Sequence, residues 1–452
     1  MKNELIVLPH DRHWDEARLA WNLAVDQQPA AVALPESARD VGAIVRWARE
    51  RGLRVAPQGT GHNAHPLGSL AHTVLLKTER MRGVAIDARA QRARVEAGVL
   101  WAEVTEAAAQ HGLAALAGSS PDVGVVGYTL GGGVSWLSRR YGLAANSVTA
   151  IELVNAEGEL VRADADQNAD LFWALRGGGG SFGVVTALEF ALYPITDVHA
   201  GVLFFPLERG AEVLRAWRRW VDTAPDEVTS VGRFLQFPPV PALPEHLRGQ
   251  SFAVIEAVSL LGQDASDELL RPLRELGPQL DTFATIPAHS LDRLHMDPEH
   301  PVPGAGDGMV LSDLNDAAID ALVQTAGAGS HSPLLSVELR HAGGALARKV
   351  PGGGAVSSVN GRFLLFAVGM APTHDAGTAV KAQVELVQNA LAPWDAGRAY
   401  SNFATKRERG ERLFGDLTYR RLQTVKATVD PDDVFRSNHP VRLPATEVRQ
   451  AA

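Results

Sequence analysis

Apolar positions along the chain switch repeatedly between a helical and a strand-like period. Val41, Ile44, Val45 and Ala48 fall at helical spacing after Pro35-Glu36-Ser37, with Ser37 suited to cap the helix and Gly52 to stop it. The short apolar run Leu53 to Ala56 then predicts a strand. Thr73 to Lys77 and Ala93 to Ala97 predict two more, and Leu100 to Gln110 a helix ended by Gly112. Ser147 to Val154 and Glu159 to Arg162 flank Ala156-Glu157-Gly158 as the arms of a hairpin. Asn168 to Leu175 reads as helix and Val184 to Leu192 as strand, and this alternating α and β region closes near Tyr193-Pro194.

Between about 200 and 395 the texture changes. Pro238-Pro239-Val240-Pro241 and a proline- and glycine-rich stretch from Pro298 to Gly308 read as loops. Leu334 to Arg340 and Arg362 to Val368 alternate as strands, and Ala211 to Val221 and Ala265 to Leu276 are helical. The pattern predicts an α+β unit, a sheet with helices on one side.

Two glycine clusters carry the candidate chemistry. Pro57-Gln58-Gly59-Thr60-Gly61-His62-Asn63-Ala64-His65 sets a histidine in a glycine loop directly after a strand. Gly118-Ser119-Ser120-Pro121-Asp122-Val123-Gly124-Val125-Val126-Gly127-Tyr128-Thr129-Leu130-Gly131-Gly132-Gly133 is the second. Glycines let a backbone approach a ligand closely and let successive N–H groups converge on phosphate oxygens, so the pair suits clamping a diphosphate. A third run, Gly178-Gly179-Gly180-Ser181-Phe182-Gly183, fits the dinucleotide fingerprint G-x-G-x-x-G. It leaves a predicted helix and enters a strand, the reverse of a Rossmann loop, which argues against a nicotinamide site.

Composition narrows the classes. At 452 residues, with 46% hydrophobic and 21% charged residues, the chain is long enough for two packed domains. Its 52 acidic against 43 basic residues, a net charge of −9, leave no electrostatic footprint for nucleic acid or an anionic membrane. Cysteine is absent, which excludes disulfides, thiolate metal sites and cysteine nucleophiles. The N-terminus reaches charge too soon for a signal peptide and no apolar run approaches a membrane span, so a cytoplasmic location is the expectation. Motifs for zinc hydrolysis or phosphoryl transfer are not found, and the sequence is silent about metal.

The glycine clusters, with Ser138-Arg139-Arg140-Tyr141-Gly142-Leu143, Arg176 to Gly183, Glu338-Leu339-Arg340-His341-Ala342-Gly343-Gly344, Tyr400-Ser401-Asn402-Phe403, Tyr419-Arg420-Arg421-Leu422 and Asp430 to Arg436, resemble the vanillyl-alcohol oxidase superfamily of flavin-dependent oxidoreductases. Within it they are most similar to the berberine-bridge-enzyme-like family. The resemblance implies an α+β fold: a two-subdomain PCMH-type FAD-binding domain over 1–198, an α+β substrate domain with an antiparallel sheet over 199–395, and a segment 396–452 completing the FAD domain. It implies FAD as cofactor, bonded covalently through His62, with His65 as the rival position. A histidine in an isolated glycine loop is more often bonded to backbone or water, and the accompanying motifs are what favour attachment. Ser120 stands where many relatives carry a second, cysteinyl link, and an unactivated hydroxyl does not form one, so a single attachment is expected.

By the same resemblance the cofactor contacts are Gly59, Thr60, Gly61, His62, Asn63, Gly118, Ser119, Ser120, Asp122, Gly124, Val125, Gly127, Gly131, Gly132, Gly183, Val185, Asn402 and Asn438. Tyr400 is the first candidate for taking the substrate proton; Tyr128 and Glu338 are the others, with Arg340 and His341 on the same strand as Glu338. For Tyr400 the alternative is an aromatic ring packed at a domain interface, and for Arg340 a solvated salt bridge. The implied reaction passes a hydride from a small organic alcohol, amine or specialised metabolite to flavin N5, with dioxygen reoxidising the flavin to give hydrogen peroxide. A same-fold dehydrogenase using another acceptor, or a flavin-bearing binding protein without turnover, remain as alternatives. Substrate identity and oligomeric state are left open.

Overall fold

The computed structural model describes residues 5–241, 245 and 247–444. Three sheets organise it. The first has the order Ile6–Val7, Ala31–Ala33, Thr73–Lys77, Arg54–Gln58, parallel except for its first strand. Helix Ala38–Arg49 covers it, its N-terminus closed by the Ser37 hydroxyl accepting from the Asp40 amide. The buried stripe Val41, Ile44, Val45 and Ala48 packs on Val55, Val74 and Leu76, each large aliphatic side chain stabilising the fold by about 1.5–3 kcal/mol. Arg46 and Arg49 on the same helix donate to the carbonyls of Gly158 and Ala156, at 2.6 and 2.7 Å, and so fasten it to the predicted hairpin turn.

That hairpin belongs to a five-stranded antiparallel sheet ordered Val84–Asp87, Arg92–Glu96, Val184–Ala191, Val148–Val154, Leu160–Asp164. Helix Trp101–Ala109 and the second glycine cluster are inserted between its strands. Helix Ala169–Gly178 runs into the third glycine stretch and then strand Val184–Ala191, the helix-to-strand order read from the sequence.

The third sheet has eight antiparallel strands drawn from Asp197–Pro206 to Phe363–Met370. Helices Gly210–Val221, Gln263–Arg274, Asp316–Ala326 and His374–Leu391 cover one face, around Trp217, Phe205, Phe234 and Phe363. The other face is turned toward the first two sheets. Where the sequence predicts a loop from Pro298 to Gly308, Gly304–Leu311 is instead a strand paired with Phe363–Met370. Its glycines serve close packing, since a Cβ at Gly306 would lie 2.6 Å from the Ala367 carbonyl and one at Gly308 2.6 Å from Phe403 Cβ.

The C-terminal stretch returns to the first sheet. The Val55 amide donates to Val434 O at 2.8 Å and Arg436 N to Val55 O at 2.9 Å. Fully buried Lys426 donates to the carbonyls of Ser181 and Phe435 and pairs with the Asp430 carboxylate, tying helix Asp416–Val429 to the third glycine stretch. Among the described residues no helix is long and apolar enough to cross a membrane.

Candidate active site

Strand Arg54–Gln58 delivers the first glycine loop to the mouth of a cavity of about 490 Å³. Gly61 has φ +87°, and a Cβ there would meet Ala20 at 2.9 Å, so the tight turn requires glycine. The turn presents His62, whose ring stacks on Trp21 with centroids 3.9 Å apart. Its Nδ1 lies 2.7 Å from Thr60 Oγ1, while Nε2 is buried, lacks a hydrogen bond and stands 3.5 Å from Asp122 Oδ1. Burial opposes ionisation of Asp122, but His62 and the Trp21 indole N–H outweigh it and hold the carboxyl below its ordinary value.

The second cluster forms the adjoining wall. Tyr128 and Tyr400 flank the Gly131-Gly132-Gly133 turn: a Cβ on Gly132 would lie 3.2 Å from the Tyr400 ring and one on Gly133 2.5 Å from the Tyr128 ring. Tyr128 Oη donates to Leu116 O at 3.1 Å. Tyr400 Oη is buried without a hydrogen-bond partner. Burial raises both phenols well above the usual tyrosine value. At Tyr400 the Gly133 amide, the Arg340 guanidinium and the Val134 amide act the other way, although neither amide forms a well-aligned hydrogen bond. Asn402 Nδ2 donates to Tyr128 O at 2.9 Å, and Asn63 Nδ2 donates to Ser401 O and Ala404 O, locking the C-terminal segment to both loops.

Opposite stands the uncovered face of the eight-stranded sheet, where alternate strand positions point into the cavity. It carries a buried charge network. His295 is held between Glu256 and Glu338, each 2.5 Å away. Arg233 pairs with Glu256 at 2.8 Å, Arg340 Nε donates to Glu338 at 2.8 Å, and Arg340 Nη2 to Ser119 Oγ at 3.1 Å. Burial and Arg233 favour neutral His295, yet Glu256, Glu338 and Asp297 prevail and raise it to about 9. Glu338, despite burial, is held far below the ordinary carboxylate range by Arg340 and His295.

Most of the residues singled out from sequence converge on this cavity: Gly59 to Asn63, Gly118 to Ser120, Gly124, Gly127, Tyr128, Gly131, Gly183, Val185, Glu338, Arg340, Tyr400, Asn402 and Asn438 all line it. Three of the expected cofactor contacts stand back from it. Val125 is a core residue, Asp122 sits behind His62, and Gly132 lies under Tyr400. His341 turns away from the cavity, because it alternates with Arg340 on the strand, and it meets Arg139 Nη1 at 3.1 Å; burial is the main reason its pKa falls to about 3. His65 opens a short 3-10 turn and does not reach the cavity. Sequence reasoning missed Trp21, Arg233, Glu256, His295 and Asp297.

The cavity fits a long cofactor. Gly59, Gly127 and Gly179 have no atom within 4 Å of where a Cβ would stand, so three separate backbones front open space. The unpartnered His62 Nε2 and Tyr400 Oη lie along the same walls. Glycine loops, a stacked histidine and a largely apolar sheet wall define a protein built to bind a long cofactor.

Comparison agrees. Residues 29–164 match the FAD binding domain model and 399–442 the berberine and berberine-like model. (R)-6-hydroxynicotine oxidase of Paenarthrobacter nicotinovorans is 36% identical over 190 residues, 42% of each chain. An uncharacterized FAD-linked oxidoreductase of Bacillus subtilis is 27% identical over 449 residues, 95% of this chain and 96% of the other. The solved structure of BBE-like 1 from Physcomitrella patens superposes with TM-score 0.85 over 97% of both chains at 22% identity, a likeness of fold. Residues 29–164 thus carry an FAD binding domain and residues 399–442 a berberine-like segment, and the chain is similar to FAD-linked oxidoreductases of the berberine-bridge-enzyme-like kind.

Proposed function

We propose that this protein is an FAD-dependent oxidase that removes a hydride from a small organic alcohol, amine or specialised metabolite and passes the electrons to dioxygen, releasing hydrogen peroxide. The observation that carries the reading is the single cavity in which the two glycine loops, the Tyr128–Tyr400 pair and the charged sheet face meet. Bound FAD supplies the hydride acceptor and the route to dioxygen. The first and second glycine loops would hold it, with His62 as its one covalent attachment and Ser120 forming none. The division into an FAD domain, 1–198 with 396–452, and a substrate domain, 199–395, is part of this reading; the grouping of the strands into separate sheets supports it, with strand Asp197–Pro206 straddling the first bound.

Of the three candidate bases, Tyr400 is favoured. Tyr128 Oη already donates to a carbonyl, and Glu338, pinned by two cations, is a weak proton acceptor. Tyr400 Oη has no partner; burial raises its pKa on balance, so the phenol must lose its own proton before it serves as base, and the Arg340 guanidinium and two nearby amides act against burial in that direction. Relatives whose names state a substrate are a hydroxynicotine oxidase and a glucooligosaccharide oxidase, a nitrogenous base and a sugar, which supports a small organic substrate without choosing its class. Anaerobic mixing with compound classes should bleach the flavin for one of them, and readmitted oxygen should restore the colour with stoichiometric peroxide. Bleaching without peroxide would make the protein a dehydrogenase; no bleaching by any class would remove the catalytic reading.

A further inference from the structure

We propose that Asp122, aimed by Trp21, is the proton acceptor that makes His62 a nucleophile for its own covalent attachment to the flavin. This rests on the reading of His62 as the attachment point. The observation behind it is a facing pair of atoms. His62 Nε2 and Asp122 Oδ1 stand 3.5 Å apart, both are buried, and neither has a hydrogen-bond partner. A buried polar atom left unpaired is costly, so two complementary ones facing each other are a feature that packing alone does not account for.

The rest of the group holds that pair in place. Trp21 Nε1 donates to Asp122 Oδ2 at 2.5 Å, the Trp21 ring stacks on the imidazole, and the Trp21 amide donates to Thr60 O at 2.9 Å. One residue thus fixes the carboxylate, the ring and the loop that carries it. Despite burial, His62 and the indole keep Asp122 ionised, and a carboxylate only accepts, so the nitrogen facing it carries the proton. That tautomer leaves a lone pair on Nδ1, to which the Thr60 hydroxyl donates at 2.7 Å. A nucleophile beside an oriented base is the arrangement covalent chemistry needs. As Nδ1 bonds to the flavin 8α-methyl carbon, Nε2–H passes its proton to Asp122 and the methyl group loses another. The two electrons released enter the flavin ring and then reduce dioxygen, which takes up both protons as hydrogen peroxide.

The test follows attachment itself, without turnover. Each protein is made under flavin starvation, incubated with FAD in air, and sampled by acid precipitation, with flavin in the pellet counted as attached. Asp122→Asn keeps an oxygen for the Trp21 indole but turns an N–H toward the imidazole, which reverses the tautomer. It should bind FAD reversibly and attach it about 10²- to 10⁴-fold more slowly than the unmodified protein. Its rate should climb with pH as hydroxide replaces the carboxylate, a recovery that a merely structural defect would not show. Asp122→Glu should keep part of the rate. Trp21→Phe retains a stacking ring and deletes the indole N–H, so it should also slow attachment. Attachment at the unmodified rate in folded Asp122→Asn, or in Trp21→Phe where Asp122→Asn does not fold, overturns the proposal and leaves His62 as the attachment point. Flavin that leaves the unmodified protein entirely on acid treatment overturns the attachment reading instead, and this proposal with it.

Discussion

Gly131 and Asn402 are packed so closely that a Cβ on the glycine would lie 1.7 Å from the Asn402 amide oxygen. The contact joins the second glycine loop to the C-terminal segment, and Asn402 also holds the Tyr128 carbonyl. Gly131→Ala must therefore displace Asn402 and loosen the turn beneath both tyrosines. Overpacking of this kind costs about 1–3 kcal/mol. Purified Gly131→Ala should melt lower and carry less flavin per protein, read from the ratio of visible to ultraviolet absorbance. Unchanged flavin content would mean that the turn does not shape the cofactor site.

The stack of Trp21 on His62, with Asp122 at the far nitrogen, fixes the imidazole against the cavity. Flavin bound covalently to His62 should stay with the protein pellet after acid precipitation, and His62→Ala should release it to the supernatant. Peptide mapping should find flavin on the His62 peptide alone, because Ser120 offers a hydroxyl already engaged with Asp297. Flavin on a second peptide would contradict the single attachment.

Tyr400→Phe keeps the ring that packs on Gly132 and Phe403 and deletes only the unpartnered hydroxyl. If that hydroxyl takes the substrate proton, anaerobic flavin reduction should slow by about 10²- to 10⁴-fold with flavin content and melting temperature unchanged. Near-normal reduction in the loaded variant would leave Tyr400 a packing residue and make Tyr128 the next to test.

Much of this architecture was legible because local chemistry and tertiary context agree. Ser37 caps the helix it was expected to cap, and the His62 loop follows its strand. Strand Gly304–Leu311 was hidden because its glycines read as loop formers, whereas they answer to Ala367 and Phe403, neighbours that no local pattern reveals. The charge network was hidden for a related reason. Alternation tells which face Arg233 or Glu338 occupies but not which strand lies beside it, and these partners come together only through the pairings of Val228–Gln236 with Ser251–Ser259 and Ser336–His341. A signal was present nonetheless: Glu256 is a lone charge within the apolar run from Phe252 to Val258, and a buried charge of that kind demands a partner.

That network makes stability depend on pH in a defined direction. His295 faces Glu256 on one strand, Glu338 and Arg340 on another, Arg233 on a third and Asp297 in its own loop, and the balance raises it from 6.5 to about 9. A group whose folded pKa is raised stabilises the fold fully below its unfolded value and loses that contribution as pH climbs through the folded one. Glu338 is shifted the opposite way, so its contribution is present above its ordinary 4.5 and is lost as pH falls below it. The melting temperature should therefore hold between about pH 4.5 and 6.5 and decline from 6.5 to 9. His295→Gln cannot carry the charge. It should melt lower at neutral pH, since removing one partner of a buried ion pair costs about 3–5 kcal/mol, and its profile between pH 6.5 and 9 should be flatter. Thermal melts of flavin-loaded protein across that range would decide it: an equally steep decline in His295→Gln would assign the pH dependence to other groups and leave His295 without an energetic role in the wall.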